Sequence, residues 1–144
     1  MSAMSDYLEN KLVDHLFRAQ TLSAPVTLYI GLLTAAPSDS GGGTEVSGNN
    51  YSRVAVTSSL ANWAGTQSAG STVASSGTGG QTSNNSSITF ATPSGTWGTV
   101  SHFGIYDAAT TGNLLFHGSL SIAKTINQGD TVSFPAGSLT VTFA

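Results

Sequence analysis

The chain has 144 residues, no cysteine, and only 8% charged residues, four Lys and Arg against seven Asp and Glu. That length suffices for one domain with a substantial core, and the missing cysteines exclude thiol catalysis, thiolate metal centres and a disulfide framework. Ordinary soluble domains carry about 25% charged residues; four cations cannot supply the phosphate contacts of a nucleic-acid interface, and no apolar run approaches the ~20 residues of a membrane span.

The N-terminal stretch MSAMSDYLENKL has acidic first charges and no uninterrupted apolar segment behind them, so no secretory signal is expected and synthesis in a cytoplasm is. The next residues have helical periodicity. Leu8, Leu12 and Leu16 recur every four positions, flanked by Val13 and Phe17, which predicts one amphipathic helix over 6–19. Asp6 followed by Glu9 resembles a capping box, with Ser5 as the rival cap. Asp14 and Arg18 form an i,i+4 pair in the favourable order. His15 reads as a partly exposed helix histidine.

After Pro25 the period changes to two. VTLYIGLL (26–33) is apolar on both faces and predicts a buried central strand. The stretch 34–50, dense in Gly, Ser, Asn and Pro, is long for a connection and reads as a functional or exposed loop. YSRVAVT (51–57) predicts a second strand, with Val54 and Val56 on one face and Tyr51, Arg53 and Ala55 on the other. Residues 65–87 have linker-like composition, but the flanking halves are too short for separate cores; an extended excursion or edge strand of a single domain over 1–144 is the expectation. ITF (88–90) restarts the β pattern and 93–98 makes a turn containing Trp97. TVSHFGIY and NLLFHGSL flank the turn DAATTG, TVSF follows, and SLTVTF ends the chain with Leu139, Val141 and Phe143 alternating with polar residues. The sum is a mainly β chain, a jelly-roll-like β-sandwich of seven or eight short strands with one N-terminal helix.

The 101–120 stretch carries two of the three histidines, His102 and His117, with Asp107 between them. Alternation puts both histidines on one side of a hairpin. A zinc site needs at least three protein ligands in tetrahedral array, and Asp107 sits where a turn aspartate binds loop amides, so the hairpin reads as structural. No G-x-S-x-G elbow occurs, GTGGQTS (77–83) lacks a lysine and a following helix, and no carboxylate pair is placed for glycoside hydrolysis. No catalytic residue, metal or cofactor is expected. Asn50, Asn84 and Asn85 open Asn-X-Ser patterns that a Ser- and Asn-rich chain produces by chance. Trp63 and Trp97 read as core or subunit-contact residues; with Tyr51 they would be the stacking platform of a carbohydrate-binding module, a remote alternative.

Taken together, SDYLENKLVDHLFR, LYIGLLTAAPSD with the Gly-rich EVSG that follows, IYDAATTGNLLF and GDTVSFPAGSLTVTF resemble a family of small structural proteins of tailed bacteriophages, often labelled tail fibre proteins. The resemblance spans most of the chain and implies a non-enzymatic virion component made in the host cytoplasm. Because the sequence has neither repeat nor shaft, the expected role is a capsid decoration (cement) protein, with a tail, tail-tip or tail-fibre subunit as the alternative. The expected partners are further copies of the chain, as a homotrimer, and the major capsid protein or another virion protein. Decoration acts through many modest contacts at once. The candidate contact residues are Leu8, Leu12, Leu16 and Phe17 on the helix, Pro37, Glu45 and Tyr51 in and after the long loop, and Trp63 and Trp97.

Overall fold

A computed structural model describes residues 2–143. The elements run β1 (Ser2–Met4), α1 (Asp6–Phe17), β2 (Thr27–Ala35), β3 (Thr44–Glu45), β4 (Val54–Thr57), β5 (Gln81–Ser83), β6 (Ile88–Thr89), β7 (Gly98–Tyr106), β8 (Leu114–Ile126), β9 (Ser133–Phe134) and β10 (Thr140–Thr142). The protein is mainly β with one helix near its N-terminus. Among the described residues ten strands stand where seven or eight were expected, because several are ladders of two or three residues without a periodic signal of their own.

The main sheet has the order β1-β8-β7-β2-β3, with β4 also pairing β2, and every pairing is antiparallel. β2 and β7 form its centre, which explains why 26–33 is apolar on both sides. Register puts Ile30 opposite Ile105 and Leu32 opposite Phe103, so these four share one face. That face meets the two short ladders, β10-β5 and β6-β9. Ile88, Phe90, Leu139, Val141 and Trp97 pack on it to form the core.

The opposite face is covered by loops. Across β2 and β7 Gly31 pairs with Gly104, and the Tyr106 ring lies over both: a Cβ on Gly104 would stand 2.7 Å from that ring. The long 34–50 connection folds back here and is not a free loop. Its first residues extend β2, Pro37 is buried, Glu45 sits in β3 and Val46 enters the core. The predicted strand 51–57 keeps only Val54–Thr57; Tyr51 and Arg53 lie ahead of it and turn inward.

Residues 65–80 run without strand before β5 and are held by local bonds. Gln67 Nε2 donates to Ser71 Oγ at 2.7 Å and to Ala74 O at 3.2 Å. Behind them sits Asn84, 1% exposed. Its amide donates to Ser86 O at 2.8 Å and Pro135 O at 2.9 Å, and its Oδ1 accepts from Leu139 N at 2.9 Å. One side chain thus ties three separate segments where the two short ladders meet, and no glycan fits on it. Asn84→Ala orphans these groups at roughly 1–3 kcal/mol each. The expected result is a melting temperature lower by about 10 °C, read by thermal denaturation; a shift of a degree or two would show that the knot carries little.

Candidate assembly surface

Ser5, not Asp6, caps α1: its Oγ accepts from Leu8 N at 3.3 Å while donating to Leu114 O. That second bond anchors the start of the helix to β8. Asp6 and Glu9 then occupy the first turn, favourable for acids at a helix N-terminus. The helix stops at Phe17 and not at residue 19, because Ala19 takes a positive φ of 55°. His15 closes this end by accepting from Leu22 N at 3.2 Å. The Asp14–Arg18 pair forms at 2.8 Å on the exposed side.

No residue of α1 is buried. Leu8 and Leu12 are half-covered, whereas Val13 is 50% exposed, Leu16 69% and Phe17 81%. Most of the apolar stripe therefore faces outward. Isolated helices of 12 residues are marginal in water, and a contiguous exposed apolar patch marks an interaction surface more often than a bare monomer face.

The other candidate contact residues are held inside the chain. Pro37 is buried and Trp97 is 5% exposed; neither reaches a partner in this conformation. Trp97 donates from Nε1 to Asn49 O at 2.9 Å, and its ring meets Tyr51 edge-on at 5.2 Å and Phe90 at 6.4 Å. Trp63 packs against the same core. The three aromatics share no open face, so they do not form a sugar-stacking platform.

Glu45 and Tyr51 belong to a polar knot on the loop-covered face. Arg53 Nε and Nη2 donate to the two Glu45 oxygens at 2.8 Å each, and its Nη1 donates to Ala108 O and Thr111 O at 2.8 Å. The guanidinium stacks on Tyr106 at 3.4 Å. Tyr51 Oη donates to Glu45 at 2.8 Å and accepts from Leu32 N at 2.9 Å. Burial pushes the Tyr51 phenol far above its usual range, against the Leu32 N–H, and burial followed by the Glu45 charge raises Tyr106. Burial pulls Arg53 down, but Glu45 more than offsets it and holds the guanidinium above its ordinary value. The shifts keep the two phenols neutral and the guanidinium charged, so the bonds between Tyr51, Arg53 and Glu45 persist. No local pattern signals this knot, since Glu45 and Arg53 are far from Ala108 along the chain.

The histidine hairpin forms as expected. Gly104 pairs with His117 and His102 with Ser119, so both imidazoles stand on one face. His117 Nε2 contacts Asp39 at 3.0 Å, and His102 Nδ1 contacts Ser101 Oγ at 2.8 Å. Asp107 accepts from the backbone N–H and the side-chain amide of Asn113, each at 2.7 Å, closing the turn. Among the described residues, no three His, Asp or Glu side chains gather as a metal site, and no helix is long and apolar enough to cross a membrane.

No curated protein matches the chain significantly. Residues 3–142 match the sequence model of the family described as podophage GP4 fiber I protein gp80. Nearly the whole chain is covered, helix and sheets alike, and the protein belongs to this family of phage virion fibre proteins.

Proposed function

We propose that the protein is a structural subunit of a phage tail fibre, assembled as a homotrimer and without enzymatic activity. The observation that carries this reading is the family match over residues 3–142. It favours the tail over the capsid-decoration role that the absence of a shaft had pointed to. The exposed apolar row of α1 supports an assembly role: Val13, Leu16 and Phe17 leave half or more of their surface in solvent. Weak self-repulsion also suits close packing of copies, since 144 residues carry a formal charge of only −3.

Copy number tests the position. Purified virions quantified by mass spectrometry against the major capsid protein are expected to hold this chain at a small fraction of the capsid copy number. A ratio near that of the capsid protein would return the decoration role. Light scattering on the isolated chain is expected to give a trimer mass, and a strict monomer at high concentration would count against self-assembly.

A further inference from the structure

The chain leaves a second surface unfilled. A groove of about 670 Å³ opens between the far end of β8 and the β9 and β10 ladders. Its floor includes Val100 and Phe103, and its walls include Leu120, Ile122, Phe134 and Lys124. Between the pairs His102–Ser119 and Val100–Lys124 the β8 strand spends five steps against two on β7. The surplus residues form a bulge in β8, within which Ile122 is 71% exposed. Lys124 lies opposite Val100, hence on the core side of the sheet, and among the described residues it has no ion-pair partner.

The exposed row of α1 is the complement of that wall. Glu9, Val13 and Phe17 follow one another at i+4 and Leu16 stands beside them. Glu9 is an exposed acid with no ion-pair partner among the described residues. The helix face thus offers one anion followed by apolar side chains, and the groove offers one cation beside apolar side chains. Lengths also agree: twelve residues of helix span ~18 Å, and residues 120–126 of β8 span at most ~23 Å.

We infer that α1 of one copy docks in the β8 groove of a second copy, with Leu16 and Phe17 against Leu120 and Ile122 and Glu9 beside Lys124. This rests on the self-assembling subunit proposed above and specifies its contact. Each copy carries one helix and one groove made of different residues, so the contact is heterologous; three copies related by a three-fold rotation would close it into a trimeric ring.

Two full-length variants test it, and the absence of native cysteine keeps the chemistry clean. The chain with Leu16→Cys is mixed with the chain with Ile122→Cys and treated with a short bis-maleimide. Both positions are exposed in one copy, so folding is spared, which the melting curve checks. The expected product is a mixed dimer joining the two variants, reached only on mixing. A product joining Leu16→Cys chains to each other, or no mixed product from an assembled sample, overturns the docking. Charge exchange is the second arm. Glu9→Lys and Lys124→Glu should each weaken association at least about tenfold by facing like charges, and the two together should restore it; no restoration argues against the pairing. If the copy number places the chain in the tail but the cross-link fails, only the docking falls. If the chain is monomeric and abundant on the capsid, the fibre reading falls with it.

Discussion

Val141→Asp is expected to abolish cooperative folding. Val141 is 2% exposed, at the centre of β10, and sits in the same cluster as Leu139, Ile88 and Phe103. The substitution removes roughly 1.5–3 kcal/mol of apolar burial. It also places a carboxylate among buried apolar side chains, at a cost of several kcal/mol even after relaxation. Together these approach the whole stability of a domain, about 5–15 kcal/mol. Backbone pairing adds to the effect, since the three-residue β5 is the one strand β10 pairs with, Thr142 N–H alone reaching Ser2 Oγ besides, and little holds it once its core side is lost. Circular dichroism of the purified variant should show no sigmoidal melt. A soluble variant melting cooperatively within a few degrees of the native chain would mean that the β10 layer is not part of the core.

The second large effect is expected at Arg53. Its side chain is 7% exposed and binds Glu45, Ala108 O and Thr111 O together. Arg53→Ala leaves two carbonyls and one carboxylate short of donors and removes the stack on Tyr106. Breaking a buried pair by deleting one partner costs about 3–5 kcal/mol. Glu45 is 26% exposed, so water screens part of the orphaned charge and the low end applies, about 3 kcal/mol. That corresponds to a melting temperature lower by roughly 10 °C. Arg53→Lys should recover only part of it, because one ammonium cannot serve both carboxylate oxygens and both carbonyls. A double variant lacking both Glu45 and Arg53 should melt above the Arg53→Ala single variant, because no charge is then left unpaired. If Arg53→Ala melts with the native chain, the knot does not hold the 34–50 segment and the hairpin turn together.

Several features were legible locally because their causes are local. The four-residue recurrence of Leu8, Leu12 and Leu16 marks a helix whatever surrounds it, and α1 lies within two residues of the predicted span. Alternation in 138–143 correctly paired Leu139 with Val141 as inward residues. Asp107 beside its turn bonds Asn113 because both are within six residues of each other. The strand count was missed for the converse reason: β3, β6 and β9 are two residues long, and two residues have no period.

The candidate contacts divide along the same line. Periodicity shows that side chains share a face, but not what lies opposite it. Leu16 and Phe17 were rightly placed on one stripe, yet only the packing of α1 against β8 leaves that stripe in solvent. Tyr51, Glu45 and Pro37 belonged to a segment that composition marked as a loop, and long-range bonds to Leu32, Arg53 and the sheet turned it into cover. Asn84 looked like one of many asparagines, because the carbonyl of Pro135 and the amide of Leu139, both over fifty residues away, define its role.

The amino-acid sequence by itself determined the mainly β class, the position of the helix, the hairpin and its turn, and the resemblance to tailed-phage structural proteins. These follow from backbone periodicity, turn chemistry and composition, which act over a few residues at a time. Only the tertiary structure decided which apolar faces are satisfied and which are not. It buried Trp97 and Pro37, paired Glu45 with Arg53, and left the α1 row and the β8 groove open. The reason is that burial is a property of the surface opposite a residue, and in an antiparallel sheet that surface comes from strands distant in the chain.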